Sequence, residues 1–332
     1  MAILERGSYK HQMPTQNPFV ASMHHLDKFP RGNGNLGPSS MKKDNEGFDL
    51  SADWRMYYGK KVPGFPAHPH RGFETVTIVT EGFVDHTDGL GSRGRYGQGD
   101  VQWMTAGKGL QHCEMFPLIN EDRPNTMELF QVWLSLDHAH RMVEPDYKML
   151  WNEDIPKISM GENGKETRIT LIAGELNGVK AVQPTKDSWA NNPENKLSIQ
   201  LIEMDPGVEY VLPSGSPTMK RSIYNYYNGV VRIEGKELRK KMYMFLSADE
   251  PTKVANESDS VVKLLLLESE PIDEPILAYG PFVMTTKEEI RQAYNDYQET
   301  QFGGWPFPEQ EVAHDKDLGR FAEYPDGSVE KP

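Results

Sequence analysis

The feature that most constrains this chain is a pair of extended, Gly-punctuated runs in which metal-binding side chains recur every second residue. They are HPHRGFETVTIVTEG at residues 68–82 and GDVQWMTAGKGLQHCEMFP at residues 99–117. His68 and His70 are two apart, and so are His112 and Glu114. On a strand, residues i and i+2 point to the same face, roughly 6.6–7 Å apart along the chain. Two such pairs on neighbouring strands aim three imidazoles and one carboxylate at one point, which is the donor set of a metal site. A lone strand His is ordinarily a hydrogen-bonded structural residue. Here four candidates form two i,i+2 pairs in one region, and nine of the ten histidines precede residue 141. The spacing favours one ion over four unrelated side chains. His24 and His25 are adjacent, so on a strand they face opposite sides and cannot share a site; they read as structural.

The flanking pattern is β. TVTIV (75–79), FVDHTD (83–88), VQWMTA (101–106) and MELFQVWLSL (127–136) are separated by Gly or Asp turns, which argues for a sandwich or small barrel rather than βαβ units. The turn GLGSRGRYGQGD (89–100) lacks the Lys-Ser/Thr ending of a phosphate loop, and no helical pattern follows it. A second β-rich block includes LSIQLIEM (197–204), SIYNYY (222–227), VVRIEG (230–235), MYMFL (242–246) and VVKLLLLE (261–268), all without histidine. Asn228-Gly229 within it reads as a two-residue type I′ hairpin turn. Between the blocks, Pro156, Pro184 and Pro193 interrupt residues 151–195, which read as a connector with a strand at TRITLIAG (167–174). Residues 1–17 read as an arm and residues 31–47 as a long surface loop. Thr286 and Glu289 form a capping-box pattern, and Ile290, Ala293, Tyr294 and Tyr297 fall on one helical face. The tail from 301 is expected to be extended and packed by Trp305 and Phe307, with His314 at the surface. The expected organisation is a metal-binding domain at 18–150, a connector at 151–195, a ligand-free domain at 196–285, and a helix and tail at 286–332.

Composition excludes some partners. Across 332 residues, 36 Lys and Arg face 49 Asp and Glu, a net charge of −13; this argues against direct nucleic-acid or anionic-membrane binding. The single cysteine, Cys113, excludes an internal disulfide and fits a reducing compartment. No run resembles a signal-peptide core or reaches the apolar length of a membrane span. The expected location is the cytoplasm.

The H-x-H pair followed by Glu74, with Gly109-x-x-His112 later, resembles the two motif halves of the cupin superfamily. HPHRGFETVT, GDVQWMTAGKGLQHCE, MVEPDY (142–147) and YGPFVM (279–284) together resemble the pirin family, over most of residues 18–300. The resemblance implies an all-β bicupin, two β-barrel or jelly-roll cupin domains of which only the first binds metal. It implies ligands His68, His70, His112 and Glu114, with Glu74 near the metal but outside its shell. Two departures from the general cupin pattern stand out: a carboxylate two residues after His112, and Gly107 where a Pro is usual.

Three imidazoles and a carboxylate without thiolate suit one divalent transition metal, Fe(II) first, with Mn, Ni, Co or Zn able to occupy such a site. Cys113, between two ligands on a strand, should face away. Four protein ligands leave two octahedral positions, room for a substrate oxygen and O2. The resemblance implies two functions. One is a dioxygenase that opens a flavonol such as quercetin, with a small aromatic molecule and O2 as partners. The other is a metal-bearing regulatory protein whose metal state alters binding to a protein partner, for which the sequence marks no surface. A blander reading has the ion only bracing the barrel. Glu74 lies at even offsets from His68 and His70, and Gly72 is placed to bend the chain back toward the ligands. Glu74 is therefore expected to accept a substrate proton or to fix the tautomer of a ligand imidazole.

Overall fold

A computed structural model describes residues 2–162 and 164–332. They form two compact units, Met23–Asn152 with Glu274–Pro332, and Met1–Ser22 with Glu153–Asp273. Both are built of strands, and the described residues include one α-helix, Lys287–Thr300. The all-β expectation holds. No helix among the described residues is long and apolar enough to cross a membrane.

The unit that carries the histidine pairs packs two sheets face to face. One runs in the order Val329–Glu330, Phe321–Glu323, Arg93–Gly97, Phe83–Asp88, Leu110–Met115, Gly64–His70; the other includes Asp146–Leu150, Val101–Thr105, Phe73–Glu81, Asn125–Ser135 and Phe19–Phe29. Val84, Tyr96 and Phe116 meet Val79, Leu129 and Met149 in the core between them. Phe73–Val79 is buried along its whole length, so both faces of this run, rich in β-branched residues, pack inside the protein. Gly72 carries the chain from one sheet to the other at φ +85°. A Cβ there would lie 1.9 Å from the Val283 carbonyl oxygen, so the position requires glycine.

The helix begins as the sequence indicates. Thr286 Oγ1 accepts from the Glu289 N–H (3.1 Å), and Glu289 accepts from the Thr286 N–H (2.9 Å). Its buried Ile290 and Ala293, with Tyr294 and Tyr297, pack on Phe282 and Met284. It also grips the residues beside the histidines. Arg71 donates to Asp296 and to the Lys108 carbonyl, both at 2.6 Å, and the Tyr297 hydroxyl donates to Gln111 (3.0 Å). Beyond the helix, Phe321–Glu323 pairs with Arg93–Gly97, and Trp305 packs near Val62, Cys113 and Met115. His314 is buried rather than superficial: its N–H donates to Asp85 (2.8 Å) and its Nε2 lies 2.9 Å from the His86 carbonyl. A position in a charge-rich tail, between Ala313 and Asp315, gives no sign of the cavity that receives it.

The other unit has a seven-stranded sheet, in the order Ile3–Ser8, Met242–Leu246, Lys220–Asn225, Val262–Ser269, Ser198–Met204, Lys165–Ala173, Lys157–Glu162. A four-stranded sheet runs Glu209–Leu212, Thr252–Asn256, Val230–Ile233, Lys236–Arg239. Three expectations change here. The arm at 1–17 contributes an edge strand. The connector contributes the expected strand, as Lys165–Ala173, and a further one, because Pro156 stands just outside Lys157–Glu162 rather than within it. The type I′ turn is at Glu234-Gly235, with φ +45° and +73°, where Ile233 pairs with Lys236. Asn228-Gly229 instead links strands of different sheets.

The tail of the first unit is held by one buried ion pair. Arg95 binds Asp85 through two bonds (2.7 and 2.8 Å) and donates to the carbonyls of His314, Asp315 and Lys316. Arg95→Leu leaves the Asp85 carboxylate buried and without its cation, so it should cost about 3–5 kcal/mol in urea denaturation and speed proteolysis after residue 311. The double variant Arg95→Met, Asp85→Leu should recover part of that loss; no recovery would mean that the pair's charge is not what matters.

Candidate metal centre

Gly64–His70 and Leu110–Met115 are antiparallel neighbours in which His68 pairs with His112 and Phe65 with Glu114. The i,i+2 spacing turns each pair of side chains to one face. The His68 and His112 rings are 4.4 Å apart, His70 and His112 4.9 Å, and His68 and His70 4.8 Å. One nitrogen from each of the three lies within 4.8 Å of the others. Glu114 stands beside this trio, its Oε2 3.8 Å from His112 Nε2.

Hydrogen bonds orient the rings. His68 Nδ1 is 2.8 Å from the Pro66 carbonyl and His70 Nδ1 3.4 Å from that of Pro281. A carbonyl only accepts, so Nδ1–H faces it and the Nε2 lone pair is left for the centre. Neither nitrogen of the fully buried His112 has a hydrogen-bond partner. A buried polar ring left unpaired is costly, and a cation bound at one of these nitrogens would remove part of the cost. Glu114 accepts from Gln131 Nε2 at both oxygens (3.1 and 2.8 Å) and from the Thr77 hydroxyl (3.4 Å). Trp133 Nε1 holds Gln131 in turn (3.2 Å), while the Phe73 and Trp133 rings lie 5.0 and 5.3 Å from that of His70.

Burial governs the protonation of the trio. It lowers His68, against an opposing pull from Glu114, and holds His70 and His112 well below the usual 6.5. At neutral pH all three are uncharged and can donate lone pairs. Burial raises the Cys113 thiol to about 12, and that side chain packs with Val62 and Met115, facing away from the trio.

Glu74 is not brought to this point. Its carboxylate accepts from Trp103 Nε1 and the Thr105 hydroxyl, both at 2.9 Å. Phe73 and Thr77 of the same strand face the imidazoles and Glu114, so alternation places Glu74 on the other face of the sheet. The expectation of a base beside the ligands fails because strand parity does not survive the crossing at Gly72. His24 and His25 are structural, bonded to Glu128 (3.0 Å) and to the Tyr57 hydroxyl (2.8 Å). Sequence reasoning misses Gln131, Trp133 and His86. His86 lies directly across the strand from Glu114, 5.4 Å from the His112 ring and stacked on Tyr147 at 5.0 Å. Only the register reveals it.

His68 is the half-buried member and opens onto a cleft of about 630 Å³. Tyr58, Phe65 and Pro66 line it together with Lys60, Lys61 and Glu309–Glu311. A smaller cavity of about 230 Å³, bordered by Phe29, Phe116 and Met127, touches none of the imidazoles.

Two outcomes follow from this geometry. Gln131→Leu removes the group that orients Glu114 and should weaken metal affinity about 10–100-fold, read by competition with a chromogenic chelator; unchanged affinity would detach Gln131 from the centre. In chelator-treated protein, the unfolded imidazoles take up protons below about pH 6.5 that the folded ones refuse. Stability should fall as pH drops below that value and be flat from this source above it. His70→Gln should make the fall between about pH 7.5 and 5.5 shallower in denaturation curves.

Comparison with known proteins agrees with the fold. The Pirin family model matches residues 17–134, and the Pirin C-terminal cupin domain matches residues 200–303. A pirin-like protein of Solanum lycopersicum is 37% identical over 242 residues, 71% of this chain and 75% of its own length. Human pirin is 35% identical over 252 residues, 74% and 80% of the two chains. The crystal structure of a quercetin 2,3-dioxygenase from Acinetobacter baumannii superposes with a TM-score of 0.72 at 26% identity, covering 91% of this chain and 98% of that one. The chain belongs to the pirin family and is a bicupin.

Proposed function

We propose that this protein is a dioxygenase that opens the ring of a flavonol such as quercetin with O2. It would use one divalent transition metal, Fe(II) first, held by His68, His70, His112 and Glu114. The observation that carries this reading is the convergence of three uncharged imidazoles, one of which, His68, lines a cleft that Tyr58 and Phe65 also border. Likeness to the Acinetobacter baumannii quercetin 2,3-dioxygenase supports the substrate class. The donors fit a borderline ion, being nitrogen and oxygen without thiolate, and one of the two unpartnered nitrogens of His112 is free to donate its lone pair to it. When bound, such an ion supplies a Lewis acid with open positions for a substrate oxygen and O2.

The chain's own residues position the substrate and its proton. Tyr58 and Phe65 offer ring faces to a planar molecule entering beside His68. Phe73 and Trp133 pack the inner side of His70 and keep water from it. With Glu74 on the other sheet face, a phenol proton would pass to Glu114, whose oxygens Gln131 holds in place.

Protein loaded with Fe(II) under anaerobic conditions and mixed with quercetin should lose the flavonol absorbance only after air is admitted. At matched metal content, Glu114→Gln should lower turnover about a hundredfold or more, within the range of a general base, whereas Glu74→Gln should stay near normal. Full metal loading with no oxygen-dependent loss of quercetin would overturn the enzyme reading. It would leave the alternative, in which the metal state governs a protein partner.

A further inference from the structure

The C-terminal tail beyond residue 303 lies outside both matched domains, yet it forms a wall of the cleft at His68. Its path there is fixed at several points. The Glu311 carboxylate accepts the backbone N–H groups of Lys60 (2.8 Å) and Lys61 (3.1 Å). The Gln310 carbonyl accepts from the Ala67 N–H (2.9 Å), one residue before His68. The Val312 N–H points at Cys113 Sγ (3.4 Å), directly after His112. The Glu309 carbonyl accepts from Trp305 Nε1 (2.8 Å), which closes the turn that leads into the segment. Residues 309–312 are therefore tied to both strands that carry the histidines, and the wall is registered to the centre rather than draped over it.

Aromatic residues also line the cleft. Tyr58 is 65% exposed, and its ring meets Phe48 at 4.9 Å and Phe65 at 6.0 Å. An exposed tyrosine braced by two other rings presents a flat surface. The rim ion pair between Lys61 and Glu309 is long (3.4 Å), with side chains 75% and 62% exposed, so it contributes little and yields readily to a ligand. A cleft of about 630 Å³ is within the range of small-molecule sites and larger than one aromatic ring needs.

We propose that Glu309–Glu311 is the specificity wall of this cleft, and that it confines the distal ring of a planar polyphenol against Tyr58 while the ligand's inner oxygen reaches the imidazoles. The proposal rests on the dioxygenase reading for its substrate class. It goes beyond that reading in assigning selection among polyphenols to a segment outside the two matched domains.

The test is anaerobic binding to metal-loaded protein by calorimetry, with quercetin and quercetin 4′-O-glucoside, whose sugar extends the distal ring. The wild type should bind quercetin at least about tenfold more tightly than the glucoside. Tyr58→Ala should weaken quercetin about tenfold, as loss of one stacked ring and its buried area implies. Glu311→Ala unclips the wall and should narrow the preference for quercetin at least about fivefold, as a partial loss of that discrimination. Gln310→Trp keeps the backbone bond to Ala67 but fills the cleft, and should weaken quercetin about tenfold. Metal content and circular dichroism should match the wild type in all three variants. The wall is overturned if Glu311→Ala and Gln310→Trp bind both ligands within about twofold of wild type. If the binding pattern appears but air causes no turnover, the dioxygenase reading fails while the wall stands. If turnover occurs but the variants do not change selectivity, the wall fails and the enzyme reading stands. A wild type that binds neither flavonol overturns the substrate class itself.

Discussion

Everything at the centre depends on one strand pairing, that of Gly64–His70 with Leu110–Met115, in which His68 faces His112. A shift of one residue would turn His112 and Glu114 to the opposite face and bring Cys113 inward. Several independent contacts resist that shift. Gly64 (φ +136°) leaves no room for a Cβ, which would lie 2.4 Å from the Glu114 carbonyl oxygen. Arg71 ties the end of one strand to Asp296 and to the Lys108 carbonyl, while Gln111 ties the start of the other to Tyr297 and the Gln301 carbonyl. The helix thus acts as a clamp on the register, and its own amphipathic face explains why it docks there.

The centre sits in tension with the fold around it. Two imidazoles are buried and His112 has no hydrogen-bond partner, a state that costs about 1–3 kcal/mol per unsatisfied group. The core between the two sheets and the buried Arg95–Asp85 pair hold the strands together against that cost. The same burial keeps the imidazoles uncharged, which is the form that donates to a cation. A more polar pocket would be easier to fold and a poorer ligand set.

Much of this arrangement is legible in the amino-acid sequence. The i,i+2 pairs reveal the face-sharing of His68 with His70 and of His112 with Glu114, because a two-residue period survives within a strand. Thr286 and Glu289 mark the helix start, since a capping box is local. Sequence reasoning fails where the chain leaves one element for another. Counting through Gly72 puts Glu74 on the ligand side, but the count is reset when the chain changes sheets. Asn228-Gly229 has good hairpin chemistry, yet its flanking strands pair elsewhere, and Glu234 takes positive φ because its strands do pair. Gln131, Trp133, His86 and His314 depend on partners far away in sequence, which no local pattern encodes. The proline-broken stretch at 151–195 resembles a connector because prolines that bound strands look the same in sequence as prolines that break them.

The division of labour between the sheets has a consequence for what such a centre can become. All four candidate ligands come from two strands of one sheet, while most of the groups that hold them come from elsewhere. Gln131, Trp133, Phe73 and Thr77 belong to the facing sheet, Arg71 and Gln111 are held by the helix, and the cleft wall comes from the tail. A substitution in any of these can alter the tilt of Glu114 or the width of the cleft without touching a ligand. Metal binding and the fate of the bound ion are thus set by different parts of the chain. A shared set of ligand residues therefore constrains the donor set far more tightly than it constrains the cleft beside it.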